Sequence, residues 1–213
     1  MVPARPGWIW GVAMRLKICQ VGEKILRQRT NPLSPAEIRS AAIQQLIELM
    51  RETMRDAPGV GLAAPQIGEP LQLAVIEDRP EYTQDVPAEK LSERERSPIP
   101  FHVIINPRLF LEPHGSVEFF EGCLSVSGFV ALAPRAVAVR VECLNHQAEP
   151  VVIDARGWYA RILQHEIDHL NGGLYIDLME PRSFMTAANH DRYWNGQPIE
   201  MVRAALGLPP RVR

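Results

Sequence analysis

His165, Glu166 and His169 are the residues whose types and spacing most directly imply chemistry in this chain. On a helix, positions i and i+4 share a face, so both imidazoles can reach one metal ion. Glu166 then falls about a quarter turn away, near the ion but not necessarily on it, where a general base for metal-bound water would sit. The segment reads as a helix over 155–170, with Gly157 its only breaker. Trp158, Ile162, His165 and His169 fall on one 3.6-residue stripe, and Asn171-Gly172-Gly173 stops it. The competing reading is a core helix whose histidines bond to the backbone. That core would be unfavourable, because each buried polar group needs a partner.

Zinc-like ions take three protein ligands and keep a position open for water or substrate. The candidates for the third ligand are Cys19, Cys123, Cys143, the other histidines and the carboxylates. Cys143 alternates in phase with Val137, Val139 and Val141, the pattern of a core thiol on a strand. Cys19 lies in a short apolar stretch without polar neighbours of evident use. Cys123 differs, because it follows Gly122 where a strand over 117–120 ends, and glycine lets the backbone approach closely. Cys123 is the best third ligand, and it would bind as a thiolate.

Three short motifs occur in order: Gly59-Val60-Gly61-Leu62-Ala63-Ala64-Pro65-Gln66, Glu121-Gly122-Cys123-Leu124-Ser125, and Gln164-His165-Glu166-Ile167-Asp168-His169. Together they make the chain resemble the peptide deformylases, from about Leu16 to about Asn189. Pro65, the long segment after Glu77 and Ala160-Arg161-Ile162-Leu163 resemble most the organellar branch of plants and animals, which some bacteria also carry.

The resemblance implies that Cys123, His165 and His169 hold one divalent metal, Fe(II) by preference, with Ni, Co or Zn as substitutes. The reaction implied is removal of the formyl group from the N-terminal methionine of nascent polypeptides, releasing formate. Glu166 would be the general acid–base, and the Gln66 amide and Leu124 N–H would donate to the oxyanion. Gly61 would bring its backbone to a substrate bound as an added strand. Val60, Trp158 and Ile162 would line a pocket for the methionine side chain. Asp168 reads either as a solvated helix residue or as an acid that orients the site, paired with Arg135. The implied partners are N-formylmethionyl peptides and a transient contact with the ribosome; monomer and homodimer both stay open. The shared His-Glu-x-x-His also suits a zincin-like metallopeptidase that cuts internal peptide bonds. Against that reading stand the upstream Cys123 motif and the lack of a recognisable third His or Glu ligand downstream. A non-catalytic binding protein would be expected to have lost Glu166, Gln66 or a ligand, and all are present.

The elements expected to position these groups give a single α+β domain, with mostly antiparallel strands packed around the central metal-binding helix. Ser34-Pro35-Ala36-Glu37 is a capping box, opening a helix to about Arg55 with Ile38, Ala42, Leu46, Leu49 and Thr53 on its stripe. Strands are expected over 71–77, 101–106, 117–120, 136–144 and 150–153. The first has the continuous apolar run of a strand buried on both faces. Residues 78–100 read as a polar surface insertion with a short helix over 88–96, either tolerated as a loop or used as a lid or partner surface. A C-terminal tail starts at about 181 and has a short helix over 199–206. Residues 1–13 read as an extension outside the fold, with 14–213 as the catalytic domain.

With 46% hydrophobic residues, 213 residues can bury a sizeable core, and the net charge of −2 comes without a basic stripe for nucleic acid or a polybasic helix for membranes. No apolar run approaches the length of a membrane span. Three cysteines do not make a disulfide framework, and a thiolate ligand needs reducing surroundings. The cytoplasm of a bacterium is the expected location, with an organelle matrix as the alternative.

Overall fold

The computed structural model describes residues 15–210. The expected extension at 1–13 lies outside the described residues. The chain folds as a mixed α+β domain built from two antiparallel sheets. One is five-stranded, in the order β1 (Gly61–Ala63), β2 (Leu73–Asp78), β3 (Ile99–Leu111), β6 (Ala138–Leu144) and β7 (Pro150–Arg156). The other pairs β4 (Ser116–Cys123), β5 (Val126–Ala136) and β8 (Met185–Thr186). The helices are α1 (Pro35–Ile38), α2 (Ala41–Asp56), α3 (Ala88–Glu93), α4 (Gly157–Leu170), α5 (Ala187–Tyr193) and α6 (Ile199–Ala205).

The period-two alternation of the strands fixes the layers. Leu73, Val75, Val103 and Ile105 pack with Ile47, Met50 and Met54 of α2. Ala74, Ile76, Ile104, Val139 and Val141 pack on the opposite face with Ile162, Leu163, Ile167 and Leu170 of α4. β2 is buried along its whole length, as its unbroken apolar run implies. Each aliphatic side chain fully buried in these layers contributes roughly 1.5–3 kcal/mol relative to exposure. The far side of α4 meets the second sheet. There Gln164 exchanges hydrogen bonds with both backbone groups of Ala136, at 2.9 and 3.0 Å. α4 is therefore clasped between the two sheets.

Several expected boundaries are corrected. The first helix is interrupted: the capping box opens only α1, and Ser40 then caps α2. The restart turns the helix, so Ala42 is exposed and the buried face runs through Ile47, Met50, Thr53 and Met54. β3 continues beyond 106 despite Pro107. The ladder shifts register between Ile105 and Arg108, and Asn106 adopts φ 51°. Its side chain bonds both Leu33 backbone groups, offsetting that conformation. The expected strand over 136–144 starts at Ala138, and β5 before it was not anticipated; it contains Gly128 and Pro134, two residues that disfavour strands. Pro134 is tolerated there because β8 pairs with β5 only at Phe129 and Val130, so Pro134 lies where β5 has a free edge. Strand 117–120 extends to Cys123, 150–153 extends to Arg156, and α4 accordingly starts at Gly157. α5 was also missed, and the C-terminal region is docked, with Val202 buried against Phe120 and Leu132. The insertion is shorter than expected at both ends: Asp78 is the buried end of β2, and Ile99 opens β3.

Arg55 ties the end of α2 to β2 through a bidentate pair with Glu77, both bonds 2.7 Å, and Glu77 N–H donates to Val60 O at 3.0 Å. The Arg55 hydrogen bond outweighs burial and holds the Glu77 carboxyl below its ordinary pKa. Such a group stabilises the fold above its unfolded pKa of about 4.3 and loses that contribution as pH falls through its folded value. Arg55→Met should lower stability by about 1 kcal/mol near pH 7. Urea unfolding should show the difference from the parent shrinking below about pH 4.

Candidate active site

Cys123 ends β4 just before the Leu124-Ser125 turn into β5, and α4 presents both histidines to it. The ligand atoms of Cys123, His165 and His169 lie within 4.8 Å of one another. Cys123 Sγ is 3.3 Å from His169 Nε2. Two donors aim at the sulfur, Ser125 N–H at 3.4 Å and Gln66 Nε2 at 3.6 Å, as suits a thiolate. Burial pushes the His169 pKa well below its ordinary value, favouring the neutral ring that metals bind. Burial alone would also lower His165, but contacts with Cys123 and Glu121 reverse this and raise its pKa well above the ordinary value. The His165 ring bonds Glu121 Oε2 through Nδ1 at 3.1 Å, which leaves Nε2 for the ligand cluster. A soft thiolate with two imidazoles fits a divalent transition metal with a position left open.

Glu121 is the hub behind the ligands. Its carboxylate accepts two bonds from Arg135, at 2.9 and 3.0 Å, and one from Arg161. Burial would raise its pKa, but His165 and Arg135 prevail and hold it far below the usual carboxylate range. Arg135 also pairs with Asp168, the partner expected from the sequence. Tyr175, fully buried, stacks on the His165 ring at 6.3 Å and donates to Phe129 O at 3.2 Å. These contacts hold the imidazole plane.

Glu166 is 3% exposed, and burial raises its pKa to about 7. Its Oε2 is buried with no hydrogen-bond partner among the described residues. Leaving a carboxylate oxygen so is costly unless a substrate or water group satisfies it. A Cβ placed on Gly61 would lie 2.2 Å from Glu166 Oε1. The glycine is thus needed to seat the carboxylate, a reason separate from any approach of substrate. Gln66 is locked in orientation: its Oε1 accepts Ala63 N–H at 2.8 Å, so Nε2 must face Ser125 Oγ, at 3.2 Å, and the Cys123 sulfur.

Beside these groups is a cavity of about 80 Å³, lined by Val60, Gly61, Leu124, Trp158, Ile162 and Glu166 among others. Drug-sized pockets run to roughly 300–1,000 Å³, so this one matches a single side chain. β1 is the edge strand of its sheet at the mouth of the cavity. All the site residues expected from the sequence are brought to this one region. The sequence reading did not assign Glu121, Arg161, Ser125 and Tyr175. Glu121 had a usable signal, a carboxylate two residues before Cys123 on a strand otherwise buried. Arg161 precedes His165 by four residues on the same helix face. Tyr175 had no local signal.

A model of the polypeptide deformylase family matches residues 15–184. Over 193 residues the chain is 45% identical to the chloroplastic peptide deformylase 1A of Solanum lycopersicum, covering 88% of this chain and 70% of that one. It is 43% identical over 188 residues to peptide deformylase 1 of Bifidobacterium longum, covering 86% and 82%. Among solved structures it resembles the Met-Ala-Ser-bound class I type b peptide deformylase of Acinetobacter baumannii, with TM-score 0.70, 31% identity and coverage of 79% and 100%. A peptide deformylase from Legionella pneumophila gives TM-score 0.65 and 34% identity over 87% of this chain and all of that one. These relatives support deformylation and lend nothing to the internal-cleavage alternative. The chain belongs to the peptide deformylase family, metal-dependent hydrolases that remove the N-formyl group from newly made polypeptides.

Proposed function

We propose that Cys123, His165 and His169 hold a single divalent ion, natively Fe(II), and that Glu166, Gln66 and Leu124 carry the deformylation chemistry around it. The convergence of the thiolate and two imidazoles within 4.8 Å, next to a buried carboxylate, carries this reading. When bound, such an ion polarises a carbonyl and makes water acidic near neutral pH. Glu166 takes the proton of the attacking water and returns it to the leaving amine nitrogen, so formate and a free N-terminus result. Gln66 Nε2 and Leu124 N–H donate to the oxygen that gains charge at the formyl carbon. The fixed orientation of Gln66 supports this role, since its donor needs no reorganisation. The substrate backbone pairs with the free edge of β1 at Gly61, and its first side chain enters the cavity between Val60, Trp158 and Ile162. The Acinetobacter baumannii relative was solved with Met-Ala-Ser, and we carry that peptide over as the product released here.

We place the enzyme near the ribosome, where formylated N-termini emerge, in bacterial cytoplasm or an organelle matrix; its three free cysteines suit such reducing surroundings. Protein loaded anaerobically with ferrous iron should release formate from formyl-Met-Ala-Ser, leave Met-Ala-Ser intact and stop on chelation. Absence of formate from metal-filled protein would refute the reading. Cys123→Ser should weaken metal binding by tenfold or more, on the order of the loss seen when ligand shells are disturbed. Metal titration with a competing chelator measures it, and unchanged affinity would point to a different third ligand.

A further inference from the structure

Trp158 is held by residues that lie outside the cavity it lines. Its indole Nε1 donates to Asp78 Oδ2 at 2.9 Å. Asp78 is 0% exposed, and Arg96 grips it through two bonds of 2.8 Å. The same Arg96 guanidinium lies over the indole at 4.9 Å, and Arg94 approaches it at 5.6 Å while covering Phe119 at 4.9 Å. The backbone joins in: Trp158 N–H, an unsatisfied donor of the first turn of α4, bonds Arg94 O at 2.8 Å. Gly157 has φ 55°, and a Cβ there would stand 2.4 Å from Glu95 Cβ, so residues 94–96 rest directly on the start of the helix. Lys90 in turn bonds Asn195 at 2.9 Å, fastening the segment to the C-terminal region.

We propose that the 79–98 segment is a specificity element: Arg96 and Arg94, with Asp78, clamp the Trp158 indole as a fixed wall and so set the width of the substrate side-chain pocket. This rests on the proposed reading of the cavity as the pocket for the first side chain. An indole free to rotate would open or obstruct a cavity of only about 80 Å³. Three kinds of contact restrain the ring, two of them through Arg96: a hydrogen bond at its edge to Asp78, the Arg96 and Arg94 guanidinium groups over the indole, and a backbone bond at its base. Arg94 and Arg96 are positioning residues, touching Trp158 and not the reacting atoms. The segment that reads from sequence as a tolerated loop, a lid or a partner surface gains a specific role in this proposal: it shapes selectivity from behind the pocket wall.

The test compares kcat/KM for formyl-Met-Ala-Ser, formyl-Leu-Ala-Ser and formyl-Phe-Ala-Ser in the metal-loaded full chain. Arg96→Met keeps the stem but removes the fork, and it should cut the Met-over-Phe preference by about tenfold, within the range that pocket shape can supply. The change should fall on KM for the Met peptide, with kcat within about twofold of the parent, as expected for a lost binding contact. Arg94→Met should act in the same direction and decides the matter if Arg96→Met does not fold. Trp158→Ala serves as the reference, because it removes the wall itself. If Trp158→Ala changes the preference and both arginine variants leave it within twofold, the clamp is refuted and the pocket reading survives. If Trp158→Ala also leaves it unchanged, the pocket reading itself falls. Loss of fold in both arginine variants also counts against the proposal, since a specificity clamp must be separable from the fold.

Discussion

Glu166→Gln should leave the fold and the metal affinity intact and lower kcat by about 10²–10⁴-fold, the usual contribution of a positioned acid–base group. The substitution is nearly isosteric, so neither the contact with Gly61 nor the packing of α4 should change. The parent carboxyl sits in a buried site that pushes its pKa up to about 7, close to the pH at which it must both take and give a proton. An amide can do neither. Because Glu166 is not one of the clustered ligands, metal content measured on the purified variant should match the parent. An active Glu166→Gln enzyme would remove Glu166 from the mechanism, and a metal-free one would make it a ligand.

Gly61→Ala should cost nearly as much activity, through geometry instead of chemistry. The new methyl would lie 2.2 Å from Glu166 Oε1 and 2.6 Å from its Cδ. The colliding atoms are the end of a side chain, so Glu166 should swing aside while β1 keeps its pairing with Ile76 across from Gly61. A displacement of about 1 Å at a reacting group can cost on the order of 100-fold in rate. The diagnostic is a double-mutant cycle. If the methyl acts only by moving Glu166, adding Gly61→Ala to Glu166→Gln should lower kcat little further. Fully multiplicative losses would instead mean that Gly61 acts on the substrate backbone by itself.

The candidate site was legible in the sequence because most of it is local. His165, Glu166 and His169 lie within one helical turn and a residue, so the 3.6-residue period alone places them on adjoining faces. Cys123 was legible because a glycine and a strand end mark it off from the core thiol Cys143, which is indeed buried with Val139 and Val141. The continuous apolar run of β2 was likewise enough to show burial on both faces. Elements were misjudged where a tertiary contact overrides a local breaker. Pro134 sits in β5 because β8 stops short of it, and β3 passes Pro107 because Asn106 is held by Leu33, far away in the chain. Neither compensation has a signature within a short window of sequence.

Residue types and spacing by themselves pointed to Cys123, His165 and His169 as candidate ligands, to Glu166 as the candidate acid–base group and to the α+β class, because those readings depend on periodicity and on the few side chains able to bind metal. The tertiary structure alone decided why Gly61 must be glycine, which carboxylate orients His165, and what holds Trp158. Each of those is a contact between distant segments, β1 with α4, β4 with α4, and the 94–96 segment with the start of the helix. Such contacts are selected by the packing of whole elements, which local periodicity cannot encode.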